Sequence, residues 1–231
     1  MQYIPREILF KAKTITNNAE WVEGYYSKAP HFISGALDHY ISYPSFNQNK
    51  VYVIDPNTLC QYTGLDVFFE DLLLNENEYK LYEHDIIEID YDNKKILAEV
   101  RYENGMYILC SNDFIDGYIP LFDLVVLEEG PYVNARIIGN SIDNSQLLEN
   151  PILYTVVGYS EIDDVFVPLE NTFIENYALN QADYFSIRCQ EAAVIRQGHI
   201  ISDIEVRIHY NKDNEEIIYS SMLNKESTLE L

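Results

Sequence analysis

The sequence has few basic residues and no long apolar segment. Only 15 Lys and Arg residues accompany 38 Asp and Glu residues in the 231-residue chain, and the formal net charge is −23. Because proteins bind DNA and RNA by neutralising phosphates with Lys and Arg, direct nucleic-acid binding is not expected. Transmembrane helices need about 18 or more consecutive apolar residues. No such run is present, so no membrane partner is expected.

Cysteine is also scarce, and the N-terminus lacks the pattern of a secretory signal. The three cysteines, Cys60, Cys110 and Cys189, are odd in number and have no C-x-x-C spacing. This usage argues against a disulfide framework or a zinc site and suits a reducing compartment. We therefore expect the protein in the cytoplasm of a host cell.

Motifs for catalysis and for cofactor binding are missing as well. The five histidines lie outside any G-x-S-x-G or H-E-x-x-H sequence, and no Gly-x-Gly phosphate loop occurs. His84, between Glu83 and Asp85, could bind a metal but is interpreted as a solvated turn histidine. The sequence predicts a non-catalytic protein with no cofactor and no metal.

The negative charge is concentrated beyond the first 50 residues. Residues 1–50 carry a net charge of +1, residues 51–150 carry −15, and residues 151–231 carry −9. Two interpretations remain open. The charge could serve solubility, or an acidic face could meet a basic groove on a partner.

Alternating apolar residues predict a chain made mostly of short strands. Residues 51–65 indicate a strand, a turn at Asp55-Pro56-Asn57, and a second strand with Gly64 left-handed. A meander is predicted next, with strands at residues 85–91, 95–102 and 106–110 joined by short turns. An opening hairpin is predicted around Asn17-Asn18. Residues 27–50 are predicted to form a long loop that could include a short helix near residues 34–40. Residues 66–80 are predicted to form a short helix or an irregular excursion, and residues 143–150 a short helix.

Several phrases in the first 151 residues resemble the YopX family of bacteriophage and prophage proteins. The QYTGL phrase at residues 61–65 marks the family. LYEHDII at residues 81–87 is similar to the family's YEGDIV, with His84 in place of the usual glycine. The other phrases, in the family's order, are ILFKAK (8–13), EWVEGYY (20–26), HFI (31–33), IDP (54–56), VRYENGMYIL (100–109), IPLFDL (119–124) and IIGNSIDNSQLLENP (137–151). The resemblance implies a fold and a phage setting, but no reaction.

We expect a mostly β protein, α+β overall, with two domains that meet at Pro151. Residues 1–150 are predicted to form a YopX-like domain, a small and strongly bent antiparallel β-barrel. Residues 151–231 are predicted to form an α+β domain with the order ββαββ. Its helix is expected within residues 175–197, because apolar residues recur there at intervals of three and four.

Two functional hypotheses follow. The first is a phage-encoded inhibitor of a host defence system, such as an anti-CRISPR protein, whose acidic face occupies a basic nucleic-acid groove of a defence effector. Its predicted partner-binding residues are Glu83, Asp85, Glu88, Asp90 and Asp92. In a strand, the last three would share one face at about 6.6 Å spacing. The second is a non-catalytic binding or regulatory module in phage replication or lysogeny, which includes self-association as a homo-oligomer.

Overall fold

The structure, a computed structural model, is built mainly from β-strands with few short helices. It describes residues 7–16, 18–30, 37–43, 50–69, 77–126, 132–149, 151–160, 165–189, 191–197, 204–210 and 217–220. The chain divides into two compact units. One comprises Met1–Ile89 and Ala98–Asp143, and the other comprises Asp90–Leu97 and Asn144–Leu231. The predicted mostly β class is confirmed.

The strands and helices are numbered in chain order. The strands are β1 (Phe10–Lys13), β2 (Trp21–Pro30), β3 (Leu37–Tyr43), β4 (Lys50–Val53), β5 (Cys60–Phe69), β6 (Asn77–Tyr82), β7 (Asp85–Tyr91), β8 (Lys94–Glu103), β9 (Met106–Cys110), β10 (Tyr118–Pro120), β11 (Val125–Val126), β12 (Tyr132–Asn134), β13 (Arg136–Asn140), β14 (Leu153–Ser160), β15 (Val165–Thr172), β16 (Glu191–Gln197), β17 (Ile204–Tyr210) and β18 (Ile217–Ser220). The helices are α1 (Gln146–Glu149) and α2 (Glu175–Cys189).

The first sheet is organised around the predicted strand, turn and strand of residues 51–65. Its order is β11-β12-β5-β1-β2-β3-β4, and β6 pairs with β5. A 3-10 turn at Pro56–Thr58 joins β4 to β5, where Asp55 accepts a hydrogen bond from the Asn57 backbone N–H at 2.9 Å. Gly64 has a φ of +85°. The prediction for this stretch is confirmed, including its left-handed glycine.

Two apolar clusters lie against this sheet. One contains Ala12, Ile41 and Ile54, and the other contains Leu9, Cys60, Tyr62 and Tyr82. Strand alternation produces both clusters, because residues two apart along a strand point to the same face. Burial raises the pKa of the Cys60 thiol to about 12, which suits a structural cysteine.

The second sheet has the order β10-β9-β8-β7-β13. It contains the predicted meander, and the observed β7 and β9 have the bounds predicted for them. Asp92 and Asn93 have φ values of +50° and +61°, and Asn104 and Gly105 have +51° and +88°. Two consecutive left-handed residues are the backbone that a tight hairpin requires.

The predicted β-barrel is wrong for the part of the chain that the structure describes. Both sheets are open, with β4 and β11 at the ends of the first and β10 and β13 at the ends of the second. A single bridge, Thr14 to Ile54, connects the ends of β1 and β4. Closure requires continuous pairing with consistent stagger, and β12 instead joins β5 in parallel over three residues.

Where the structure describes them, two stretches predicted to include short helices are strands. Residues 66–69 continue β5 and residues 77–80 belong to β6, where a short helix or an irregular excursion was predicted across residues 66–80. Residues 37–40 begin β3, where a short helix was predicted over 34–40. Residues 31–36, 44–49 and 70–76 lie outside the described residues. At residues 143–150 the prediction holds in part, because α1 is a single turn.

The second unit contains a five-stranded antiparallel sheet with the order β15-β14-β16-β17-β18. Ala178 and Ala182 of α2 pack in one buried cluster with Tyr154, Val156, Ala192 and Val194 of the sheet. The element order is ββαβββ rather than ββαββ, because residues 191–197 form β16. The alternation of buried Ala192 and Val194 in β16 overrides the apparent helical spacing.

Candidate functional site

The five acidic residues predicted for partner binding do not share one surface. Asp85 and Glu88 are buried, with exposed fractions of 1% and 2%. Glu83 is half-buried and accepts a hydrogen bond from the Gln61 backbone N–H at 2.9 Å. Asp90 and Asp92 are exposed. The structure therefore leaves two of the five carboxylates fully open to solvent.

Asp85 forms a buried ion pair with Lys11. Its second carboxylate oxygen accepts a hydrogen bond from the Tyr82 backbone N–H at 2.9 Å. The Lys11 ammonium also lies 4.9 Å from the centre of the Tyr82 ring and 5.4 Å from that of Trp21. Burial raises the pKa of Asp85, while the Lys11 charge and hydrogen bond oppose that shift. This arrangement ties β1 to the start of β7.

Glu88 is paired across the sheet with Arg136. The two are Cα partners in β7 and β13, and Arg136 Nη1 donates to Glu88 Oε1 at 3.0 Å inside the protein. The prediction that Glu88 shares a solvated face with Asp90 and Asp92 is wrong. Ile86 lies on the same face of β7 as Glu88 and is fully buried. Strand alternation therefore does not divide β7 into one solvent-exposed face and one buried face.

Asp90 and Asp92 project from the β7–β8 hairpin. Lys95 donates to Asp90 at 2.9 Å, while the Asp90 side chain is 72% exposed. The Lys95 ammonium also lies 3.8 Å from the Glu170 carboxylate. This group of four residues carries three acids and one base, and its electrostatic field can attract a cationic surface.

Sequence reasoning missed a second polar cluster, which centres on buried Glu99. Ser141 Oγ donates to Glu99 Oε1 at 2.5 Å, and His84 Nδ1 lies 3.0 Å from the same oxygen. Arg101 Nε donates to Glu99 Oε2 at 2.7 Å. Burial raises the pKa of Glu99, but the hydrogen bonds from His84, Ser141 and Arg101 lower it to about 2. The hydrogen bond to Glu99 raises the pKa of His84.

The Ser–His–Glu composition of this cluster is that of a hydrolase triad, but the connections differ. In a triad, the serine donates to one imidazole nitrogen and the carboxylate accepts from the other. Here Ser141 donates directly to Glu99, and Ser141 Oγ lies 3.2 Å from His84 Nδ1, the nitrogen that also faces Glu99. Because the Ser141 hydroxyl donates to the Glu99 carboxylate, whose pKa is low, it is not aligned to transfer its proton to His84 as a general base.

One sequence feature pointed to this cluster without identifying it. His84 stands where the family usually has glycine, and its φ is +66°. Residues other than glycine rarely adopt this left-handed backbone conformation. His84 is also held by its backbone, which donates to Val100 O and accepts from Ser141 N, both at 2.8 Å. Because Glu99 and Ser141 are distant in sequence, no local pattern reveals the pairing.

A third polar cluster anchors the GNSIDN phrase. The Asn140 side chain accepts hydrogen bonds from the backbone N–H groups of Ile142 and Asp143, at 3.1 and 2.9 Å. Asp143 accepts a hydrogen bond from Trp21 Nε1 at 2.7 Å and pairs with Lys13. Trp21, which is half-buried in β2, thereby holds Asp143 of this phrase.

No group of three or more His, Cys, Asp and Glu side chains suited to a metal ion occurs in the described residues. Within the same ranges, no helix is both long enough and apolar enough to cross a membrane. Comparison with curated proteins gives no match, and comparison with solved structures gives none. The family model described as YopX protein matches residues 12–149, which is more than half of the chain, so the chain belongs to the phage- and prophage-associated YopX family.

Proposed function

We propose that this protein is a phage-encoded, non-catalytic inhibitor that binds a basic surface of a host defence protein. Membership of a phage-associated family supports the setting. The observation that carries the proposal is the charge of −23, combined with exposed carboxylates on the β7–β8 hairpin. Nucleases and guide-dependent effectors hold nucleic acid in basic channels, so an acidic protein can occupy such a channel, as an anti-CRISPR protein would.

Asp90 and Asp92 are the proposed contact residues from the predicted set. Asp92 is the first residue of the tight turn of the β7–β8 hairpin, and Asp90 precedes it by two residues in β7. Contacts that are already in place lose less entropy on binding. Asp85 and Glu88 are not proposed as contact residues, because both are buried in ion pairs with Lys11 and Arg136.

The proposal has no catalytic step. Among the contacts described above, a serine hydroxyl lies beside an imidazole only in the Glu99 cluster. There the Ser141 hydroxyl donates its hydrogen bond to the Glu99 carboxylate. Action in the host cytoplasm follows from the nature of the target. No cofactor is required, because binding alone blocks a channel.

The first experiment places the protein in bacteria that carry a defined nuclease-based defence system and challenges them with phage. Expression of the protein should restore plaque formation. Replacing both Asp90 and Asp92 with Lys should abolish that restoration, because two contacts become repulsive. The matched control is Glu20→Lys with Glu149→Lys, which changes the net charge equally at other exposed positions.

Continued protection of the bacteria in every system tested would contradict the inhibitor proposal. Restoration that is lost equally in both double variants would show that net charge alone matters, and it would remove the hairpin from the proposal. The Glu88 position is left unchanged because its substitution would disturb the fold.

A second candidate function is a binding or regulatory module in phage replication or lysogeny. Exposed tyrosines favour it, since Tyr43 and Tyr118 are 53% and 50% exposed and tyrosine is enriched at protein interfaces. Salt separates the two candidates. Binding through carboxylates should weaken steeply as salt rises, whereas binding through aromatic side chains should change little.

A further inference from the structure

We propose that the β10 edge of the second sheet is a docking surface for a protein segment that presents apolar side chains flanked by Lys and Arg. We call it the β10 surface and define it by its exposed residues. These are Met106, Asp113, Ile115, Asp116, Tyr118, Phe122 and Asp123. The inference goes beyond the proposed function, because it uses different residues and holds for a defence protein or a regulatory partner alike.

The apolar members of the β10 surface are unusually open to solvent. Ile115 is 103% exposed, Phe122 74%, Tyr118 50% and Met106 49%. Single exposed apolar residues are common, but four in one short region of the chain mark a contact surface. An aromatic or aliphatic anchor that enters a pocket supplies most of the binding energy of many interfaces.

The loop that carries Ile115 is closed by its own backbone. Ser111 N donates to Gly117 O at 3.1 Å, and Gly117 N donates to Phe114 O at 3.0 Å. Phe114 is buried, with 4% exposure, while the next residue, Ile115, projects fully into solvent. These backbone hydrogen bonds and the buried Phe114 side chain hold the loop, which presents Ile115 to solvent.

Sheet register places the remaining apolar side chains along the same edge. Tyr118 and Pro120 of β10 are opposite Cys110 and Ile108 of β9. Because the two strands are antiparallel, Phe122 and Met106 lie at the same end of the pair, beyond Pro120 and Ile108. Ile115 lies beyond the other end, next to Tyr118. The four apolar residues therefore span the length of the edge.

The partner is expected to bind side chains and not to add a strand. β10 is an edge strand of only three residues and ends in Pro120, which has no N–H to donate. Short edges and prolines prevent strand addition. Binding therefore depends on what the exposed side chains can enter or attract.

Charge selects the chemistry of that partner. The segment from residue 111 to residue 124 contains three aspartates and no Lys, Arg or His. Asp113, Asp116 and Asp123 are exposed beside the apolar anchors. A second copy of this chain, a nucleic acid or an anionic membrane would each bring negative charge against these carboxylates. A protein segment with apolar side chains between Lys and Arg residues complements both features.

A peptide probe tests the proposal with the full-length protein. The probe is a fluorescein-labelled synthetic peptide with a Leu-Phe-Leu centre flanked by two Lys and two Arg residues on each side. Two further peptides replace either the apolar centre with Ser or the basic flanks with Glu. Binding is followed by fluorescence anisotropy up to about 1 mM protein, which detects dissociation constants up to about 1 mM.

The test variant is Ile115→Ser with Phe122→Ser, and the control variant is Ile8→Ser with Ile15→Ser. The control pair is comparably exposed, at 55% and 64%, and lies away from β10. Only the basic peptide with the apolar centre should bind well, and the test variant should weaken it at least tenfold. The control variant should bind like the natural protein. Circular dichroism should show that both variants are folded.

Three results would overturn the proposal. Equal binding of the peptide with the Ser centre would show plain charge attraction. Equal loss of peptide binding in the control variant would show that the β10 surface has no special role. If none of the three peptides bound, the proposed site would be rejected. Sedimentation velocity provides a separate test, since a dimer that the test variant dissociates would assign the surface to a second copy. Because Asp90 and Asp92 are unchanged throughout, these outcomes are independent of the phage-challenge result.

Discussion

Carboxylates of this chain have two different roles, and burial separates them. Asp85, Glu88 and Glu99 are buried and each is held by a cation, whereas Asp90 and Asp92 are exposed at a hairpin. A buried ion pair is weak support for stability when compared with an apolar pair. Removing one partner is different, because it leaves the other charge without compensation in the interior.

Substitution of Glu88 tests this asymmetry. Glu88→Gln should lower the free energy of unfolding by about 1–3 kcal/mol, because the buried Arg136, 8% exposed, exchanges a charged partner for a neutral hydrogen-bond acceptor. Asp90→Asn is the control and should change stability by less than about 0.5 kcal/mol. Urea unfolding followed by circular dichroism measures both. If both variants changed the free energy of unfolding by similarly small amounts, other groups would be compensating the charge of Arg136.

The Glu99 cluster should give stability a specific pH dependence. The pKa of folded Glu99 lies at about 2, below its ordinary 4.5, so its contribution is present above pH 4.5 and is lost as pH falls toward 2. The pKa of folded His84 lies above 6.5, so its contribution is present below pH 6.5 and is lost as pH rises through the folded value. The combined contribution should be largest between pH 4.5 and 6.5.

Comparison of the natural protein with Glu99→Gln isolates this contribution. The difference in unfolding free energy, measured by urea titration at a series of pH values, should be greatest in that window and decline on either side. NMR titration of His84 should show its pKa returning toward 6.5 in the variant. A difference that is constant with pH would mean that His84 and Glu99 are not coupled.

At the scale of elements, turn chemistry made some strands predictable. β7, β8 and β9 follow one another through residues that accept left-handed conformations, so their order was predictable from the sequence, with exact bounds for β7 and β9 and an error of one residue at each end of β8. The strands at residues 66–69, 77–80 and 191–197 were not predictable. Their apolar spacing fits a helix and a strand about equally, and pairing with other strands decided the outcome.

Gly24 in β2 provides a test of how closely two strands approach. A Cβ at this position would lie 2.4 Å from the Ser42 carbonyl oxygen of β3. Gly24→Ala should therefore lower the free energy of unfolding by about 3 kcal/mol, since backbone must shift. Gly105→Ala is the control, because Gly105 has a φ of +88° with open space around it. It should cost about 1 kcal/mol from backbone strain. Equal losses in urea unfolding would contradict the close contact.

At the scale of the whole molecule, the candidate site was only partly predictable. The exposure of Asp90 and Asp92 was predictable because they lie at a hairpin, where both the turn and the charge are local properties. Their role in binding stays a prediction. Glu88 was placed wrongly because its burial depends on Arg136, 48 residues away. The link between His84, Glu99 and Ser141 could not be predicted, since it depends on three segments meeting in space.

The predicted division at Pro151 remains a prediction with a direct test. Separate folding of residues 1–150 and 151–231 should leave a stable fragment after limited proteolysis, with cleavage near the junction identified by mass spectrometry. The two compact units of the structure meet in sequence at Asp143 and Asn144, and the second also includes Asp90–Leu97. Uniform degradation without a stable fragment would contradict the division.

The charge of the whole molecule leads to a prediction about nucleic acids. With a net charge of −23, the protein alone should not bind DNA or RNA, either at physiological salt or at low salt. Phosphate binding releases counterions only where Lys and Arg neutralise the backbone, and acidic residues outnumber basic ones here by more than two to one. Fluorescence anisotropy with labelled single-stranded and duplex oligonucleotides measures this directly.

Low salt is the informative condition, because it strengthens every electrostatic interaction over a Debye length of about 30 Å at 0.01 M. Repulsion should then be strongest, so anisotropy should stay flat as salt is lowered. A protein with a hidden basic site would behave in the opposite way, with binding that appears at low salt and fades at high salt. Micromolar binding that follows this pattern would place phosphates on the protein itself. It would contradict the proposal that the acidic hairpin takes the place of nucleic acid in a basic groove.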